Sequence, residues 1–447
     1  MPRARGAADL PTGLPSKDVL TVGLPANDLP TTDRPMNDRP TNDLPMNDPP
    51  MNDLAMNDLP EVRVSGRGAG RLQTGHVWVY RSDVETKPGV AAGAFVRVAD
   101  HRGKPLGTAF YSSSSQIAIR MLTSGALSQS KLPELLRQRV REAVNHRKLV
   151  VEDTDAYRVI FSEADFLPGL IVDCYNGLLS VQFLTQAMDS APVRETVLAT
   201  LRERLQPAAI IERVEARVRE LEQLPPRESQ LLHGTRTSAI FTMNGVKFHF
   251  DGLHGQKTGA FLDQRENYAA ATRYAHGDAL DVFCYQGGFA LHLAPQCKQL
   301  TGVDSSLPAL KVAEENAQLN HREVEWMEAN AFDLLKDYAS AGRQYDTIVL
   351  DPPAFAKTKR DLPAAARGYK ELNLRALRML RPGGILVTCS CSYHVSEREL
   401  EDIVVAAALD ARRTVRLLEK RVQARDHPIV PTIPETSYLK TLILEAV

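Results

Sequence analysis

ALDVFCYQGGF, residues 279–289, decides how the rest of the chain is read. It is a short apolar run that ends in a glycine pair, and four similar runs follow: QLTGVD (299–304), EVEWME (323–328), DTIVLD (346–351) and GILVTCS (384–390). Helical patterns separate them at 307–320, 366–380 and 396–411, the last opened by Ser396 and Glu399 as a capping box. Strand–helix alternation of this kind predicts an α/β fold with a doubly wound, largely parallel, Rossmann-like sheet. TVRLLEK (414–420) and YLKTLILEA (438–446) have no long helix between them, which predicts an antiparallel hairpin closing the sheet.

Ligands of such sheets bind beyond the carboxyl ends of the strands. After the first strand, Gly287 and Gly288 permit a tight turn and close backbone approach. The second strand ends in Asp304, 23 residues after Asp281, where a carboxylate can accept both hydroxyls of a ribose. Asn330 and Asp333 follow the third, where an adenine edge would lie. Neither G-x-G-x-x-G nor a Walker lysine is present, so phosphate cradling is not the purpose. A nucleoside cofactor without phosphates fits better, and S-adenosylmethionine is the first choice.

The fourth strand ends in DPPAF (351–355). Proline fixes φ and lacks an N–H, so the carbonyls around Asp351 stay available as acceptors. An amine-bearing base could bond Asp351 and stack near Phe355. The fifth strand ends in Thr388-Cys-Ser-Cys-Ser392. A thiolate added to carbon 6 of a pyrimidine makes carbon 5 nucleophilic enough to take a methyl group, whereas amine or oxygen methylation needs no thiol. Cys389 and Cys391 share a strand face, so both could lean toward the site. Cys391 lies farther past the strand end and is the preferred nucleophile, with Cys389 as a packed core residue. Cys174, Cys284 and Cys297 read as packing residues.

Upstream the pattern differs. Residues 1–60 carry a five-residue unit, from LPAND at 24 to LAMND at 58, with no aromatic side chain. Such a stretch cannot bury enough apolar surface to offset its chain entropy, so a disordered tail is expected. It holds five Lys/Arg against nine Asp/Glu, leaving 49 against 46 in the remainder. That mild excess excludes nucleic-acid binding through bulk charge and leaves only local patches.

Residues 61–130 read as a small β-barrel of short strands, VRVSGRG, HVWVYRSDV, AFVRVAD, PLGTAFYS and QIAIRML. Arg63, Arg67, Arg71 and Arg81, with Trp78 and Tyr80 between them, suggest either an RNA-facing surface or a solvated rim. A central α/β domain is expected over 131–238. It would hold a basic amphipathic helix at 131–149, two strands around a turn in 157–184, a helix near 190–205, a strand at 208–212 and a polar stretch at 222–238. The last domain spans 239–447. No apolar run reaches membrane-spanning length, and no apolar segment follows Arg3 and Arg5 as a secretory signal would require. Five cysteines without a C-x-x-C pair suggest neither a metal site nor a disulfide scaffold, so a cytoplasmic setting is expected.

Several stretches in order carry a resemblance: GRGAGRLQTGHVWVYRSDV (66–84), SEADFLPGLIVDCYNG (162–177), TGAFLDQR (258–265), the Tyr285–Phe289 turn, DPPAF, GYKELN (368–373), SCS (390–392) and HPIVPTIPETSYLK (427–440). Over about 61–447 the chain resembles the bacterial PUA-domain large-subunit rRNA cytosine-C5 methyltransferases. The resemblance implies an N-terminal PUA-like RNA-binding module and a class I S-adenosylmethionine-dependent enzyme that forms 5-methylcytosine in large-subunit rRNA. It assigns the nucleophile to Cys391 and base contact to Asp351. Cofactor contacts are expected from Gln264, Phe283, Tyr285, Gly287, Asp304, Ser305, Asn330 and Asp351. Asn330 stands where methyltransferases often have an acid, and its amide can still pair with adenine. Lys370 and Arg265 could touch phosphate or the cofactor carboxylate, or serve as surface or helix-cap cations. The partner is rRNA or its precursor particle, with a homodimer left open. Two rivals remain: a methyltransferase on another RNA position or a small molecule, and a non-catalytic RNA-binding assembly factor.

Overall fold

A computed structural model describes residues 59–85, 89–253, 260–356 and 358–447. The pentapeptide tail up to residue 58, and Thr258 and Gly259 of the TGAFLDQR motif, lie outside the described residues.

The N-terminal sheet holds β1 (Glu61–Val64), β2 (Trp78–Tyr80), β3 (Phe95–Asp100), β4 (Pro105–Tyr111) and β5 (Ile117–Thr123), in the order β1-β3-β4-β5-β2. One expected strand is different: after β1 the glycine-rich stretch forms helix α1 (Gly66–Gln73). Ser65 caps it by accepting the Gly68 amide at 3.2 Å. A Cβ on Gly68 would sit 3.2 Å from both Asp83 and Val79, so this one glycine lets the helix lie close on β2. The basic-aromatic surface is also only partly there. Trp78 is buried, and its indole donates to Glu163 at 3.0 Å, so it joins the barrel to the next sheet. Arg81 donates to the Ser112 and Ser115 carbonyls. The Arg71 guanidinium lies 4.5 Å above the Tyr80 ring.

Helix α2 (Leu132–Val150) leads into β6 (Ala156–Phe161), β7 (Leu170–Tyr175) and β8 (Leu178–Phe183). Three strands form where two were expected. Asn176 and Gly177, both at positive φ, make a two-residue hairpin inside the apolar run. Helix α3 (Ala191–Leu205) then crosses to β9 (Ala209–Glu212), parallel to β8. After the short α4 (Ala216–Leu221), β10 (Gln230–Gly234) forms within the polar stretch. It is the edge of the sheet β10-β9-β8-β7-β6, which explains its polarity. A hairpin of β11 (Ser238–Met243) and β12 (Val246–Asp251) follows. Its Phe241, Phe248 and Phe250 pack with Tyr175 on one side and Tyr268 and Phe289 on the other, in one continuous core.

The C-terminal part contains α5 (Arg265–Thr272), β13 (Gly277–Val282), α6 (Gly288–Leu293), β14 (Cys297–Asp304), α7 (Leu307–Leu319) and β15 (Glu325–Glu328). It continues with α8 (Ala331–Ser340), β16 (Tyr345–Leu350), α9 (Leu362–Met379), β17 (Leu380–Ser390), α10 (Glu397–Ala411), β18 (Val415–Arg421) and β19 (Lys440–Ala446). The sheet order is β15-β14-β13-β16-β17-β19-β18. The first five strands are parallel and β19 is antiparallel to both its neighbours. β19 inserts between β17 and β18, so the last strand of the chain is interior. Its residues are almost all buried, whereas those of β18 are mostly exposed, and an apolar strand gains most where both faces are covered. The connections leave β13 to one side and return to β16 on the other, which opens a crevice at their carboxyl ends. Among the described residues no helix is long and apolar enough to cross a membrane, and no cluster of metal-binding side chains occurs.

Candidate active site

A cleft opens at that crevice, with Phe261, Phe283, Tyr285, Gln286 and Asp351 among its walls. The turn after β13 is unusual: Phe283, Tyr285 and Gly287 all have positive φ, at 68°, 49° and 86°. Left-handed backbone at two aromatic residues costs roughly 1–3 kcal/mol each and persists only where the surroundings impose it. The end of β14 imposes it here: the Val303 carbonyl accepts the Phe283 and Cys284 amides at 2.8 and 3.0 Å, and Tyr285 is held by Asp304. Its carboxylate accepts the Tyr285 amide and the Ser306 amide, both at 2.9 Å, and so ties the β13 turn to the start of α7. Ser305 is exposed beside it. The glycines fit the close approach the sequence suggests. A Cβ on Gly287 would meet the Trp326 ring at 2.9 Å, and one on Gly288 would meet the buried Tyr268 hydroxyl at 2.4 Å. Burial pushes the Tyr285 hydroxyl up to about 12, so it stays neutral. Asn330 is exposed and caps α8, a helix the sequence reading did not place, by accepting the Phe332 and Asp333 amides.

On the other side of the crevice stands Asp351, buried at the cleft wall. Gln264 donates to it at 3.2 Å and accepts from Asn267 at 2.7 Å, so Gln264 reaches the cleft through the carboxylate it orients. The carbonyl of Pro352 accepts from the Cys391 thiol at 3.9 Å. The DPPAF turn and the end of β17 are therefore neighbours, as proline's missing donor suggested. The two cysteines are not equivalent. Cys389 is fully buried in the core and accepts from the Thr441 hydroxyl at 3.3 Å, whereas Cys391 lies past the strand end and is partly exposed. Burial pushes the Cys174 and Cys297 thiols up to about 11, which suits packing residues.

The serines beside Cys391 hold its loop. Ser392 Oγ accepts the Ala356 amide at 3.2 Å and lies 3.0 Å from the Tyr369 hydroxyl, which also accepts from Ser390. GYKELN, DPPAF and SCS thus meet through one buried tyrosine. Sequence reading missed this clip and also missed Lys440, whose ammonium donates to the Ser392 carbonyl at 2.7 Å. A lysine opening an otherwise apolar strand was the signal available. For Lys370 and Arg265, where ligand contact and a structural cation were both open, the structure shows cations paired within the protein. Lys370 pairs with Asp410 at 2.7 Å on the surface of α9, and Arg265 is buried in an ion pair with Asp426 at 3.0 Å. Neither lines the cleft, because each cation is already paired. Phe355 packs on Tyr369 and Phe332, with ring centroids 4.8 and 6.0 Å away.

Comparison with known proteins gives the family. Residues 62–124 match the PUA-like domain family, and residues 175–443 match the S-adenosylmethionine-dependent methyltransferase family. A ribosomal RNA large subunit methyltransferase I from Tolumonas auensis is 37% identical over 383 residues, covering 83% of this chain and 96% of its own. The protein of the same name from Shewanella amazonensis is 38% identical over 382 residues, with the same coverage. Among solved structures, a Streptococcus mutans protein described as a SAM-dependent methyltransferase superposes with a TM-score of 0.73 at 18% identity. It covers 87% of this chain and all of its own, and at that identity the likeness shows the fold. With a PUA-like sheet, a Rossmann-like sheet and this degree of identity over most of its length, the chain belongs to the S-adenosylmethionine-dependent methyltransferase family of the ribosomal RNA large subunit methyltransferase I proteins.

Proposed function

We propose that the protein methylates carbon 5 of a cytosine in large-subunit rRNA, with Cys391 as the covalent nucleophile. The observation that carries this reading is the position of Cys391: past the end of β17, partly exposed, and against the carbonyl that follows Asp351. The cofactor side of the crevice suits S-adenosylmethionine. Phe283, Tyr285 and Gly287 would hold its nucleoside, Asp304 its ribose and Asn330 its adenine edge, with Ser305 and Gln264 at the margins. Bound there, the cofactor supplies an electrophilic methyl group on a sulfonium. The remaining work falls to the chain. Asp351, oriented by Gln264, accepts from the exocyclic amine of a flipped-out cytosine. The Cys391 thiolate bonds to carbon 6, and the electron pair displaced makes carbon 5 the nucleophile. Once carbon 5 carries the methyl group, its proton passes to water or to Asp351, and the electron pair left behind re-forms the ring double bond and expels the thiolate. The barrel and central sheet would grip RNA by phosphate and shape contacts. The substrate is naked rRNA or a precursor particle in the cytoplasm.

An rRNA fragment carrying 5-fluorocytosine tests the adduct. Fluorine cannot leave as the proton does, so the enzyme and RNA should remain joined through denaturing electrophoresis. The absence of a complex with a substrate that is otherwise methylated would contradict the reading. For the cofactor side, Asp304→Ala should weaken S-adenosylmethionine binding roughly ten- to hundredfold, since a hydrogen bond to a charged group contributes about 1.5–3 kcal/mol. Titration calorimetry reads this directly, and unchanged affinity would remove Asp304 from the site.

A further inference from the structure

We propose that Lys440 is a positioning residue for the reaction: its buried ammonium fixes the Cys391 loop and favours the thiolate form of Cys391. The proposal rests on the reading of Cys391 as the nucleophile. Lys440 opens β19 opposite Ser390 and is only 5% exposed. It donates to two carbonyls, Ser392 at 2.7 Å and Tyr438 at 2.9 Å. Among the described residues it makes no ion pair with a carboxylate, although a buried ammonium is costly without an opposite charge nearby. Glu399 of α10 acts on it only from a distance and is already engaged in the capping box with Ser396. The nearby group able to become an anion is Cys391, adjacent in sequence to the residue whose carbonyl Lys440 holds.

The two tyrosines and the histidine beside it are neutral at pH 7. Burial raises the Tyr369 hydroxyl of α9 and the Tyr438 hydroxyl before β19 well above their usual value. Burial, with Lys359 and Lys440 nearby, lowers His394 of the Cys391 loop. Burial brings the Lys440 ammonium down to about 8, while Cys391 acts in the opposite direction. The charge that favours the thiolate is therefore present at neutral pH and is lost as pH rises through about 8.

Alkylation tests this without requiring methyl transfer. The full-length chain is treated with iodoacetamide across pH 5.5–10, and the Cys391 peptide is quantified by mass spectrometry. In the wild type, Cys391 should react with an apparent pKa below the ordinary thiol value of about 8.5. Lys440→Met should move the profile upward by about one unit, a roughly tenfold slower reaction at pH 7. Lys440→Arg, which keeps the charge, should stay near the wild type. A wild-type profile at or above the ordinary thiol value overturns the proposal even where the methionine variant does not fold, and so does a methionine profile that superimposes on the wild type. The fluorocytosine trap reads the nucleophile separately: a failed trap beside a shifted alkylation profile would overturn the adduct, not the pairing of Lys440 with Cys391.

Discussion

Cys391→Ala should lower methyl transfer to rRNA by roughly 10⁴-fold or more, the scale seen when a covalent nucleophile is removed. S-adenosylmethionine affinity and thermal stability should change little, because Cys391 is partly exposed and its contact with the Pro352 carbonyl, at 3.9 Å, is long. Cys389→Ala should behave in the opposite way. Its sulfur is fully buried and accepts from Thr441, so the substitution should cost about 1 kcal/mol of stability and leave turnover largely intact. The pair of variants separates a chemical role from a packing role on two residues that sequence alone places side by side. Equal losses of activity in both, or full activity in Cys391→Ala, would count against the nucleophile assignment.

The second large effect lies away from the cleft. Asp426 is fully buried and accepts from Arg265 at 3.0 and 3.2 Å and from the Arg158 amide at 2.8 Å, with His427 at 3.2 Å. The Asp426 carbonyl accepts from Arg147, which also pairs with Asp165. This cluster joins the central sheet, α5 and the segment that leads to Lys440. Asp426→Ala would leave the Arg265 guanidinium buried without its partner, a loss of about 3–5 kcal/mol. Chemical denaturation of the two proteins measures it. Burial alone would raise the Asp426 carboxyl, but His427, Arg265 and the Arg158 amide hold it well below the usual carboxylate range. A depressed value gives a definite sign: the contribution is complete above the unfolded pKa of about 3.9 and is lost as pH falls through the lower folded value. The advantage of the wild type over the variant should thus persist at about pH 5 and be lost only in stronger acid. An advantage already lost by about pH 5 would contradict the assignment of Asp426 as the ionised partner.

Those two sites also show what a sequence can and cannot disclose. The five parallel strands were legible because each is a short apolar run between helical periods, and the loop residues Gly287, Asp304, Asp351 and Cys391 were legible because they stand at strand ends. Fixed spacing carries that information. The order of β18 and β19 was not legible, since it depends on which strand is better buried rather than on which comes first. Helix α1 was hidden by its glycines, of which Gly68 serves close packing on Val79 and Asp83, a contact visible only in three dimensions. The role of Arg265 stayed open between ligand contact and a structural cation because its partner Asp426 lies 161 residues away. Lys440 and the Tyr369 clip were missed for the same reason: each acts on the Cys391 loop across a long sequence separation.

The central claim is the identity of the product. Methyl-labelled S-adenosylmethionine is incubated with the enzyme and unmodified bacterial rRNA, and the RNA is digested to nucleosides and separated. The account predicts label in 5-methylcytidine from the wild-type chain and none from Cys391→Ala. Label in any other nucleoside, or in 5-methylcytidine made equally well by the alanine variant, would contradict it.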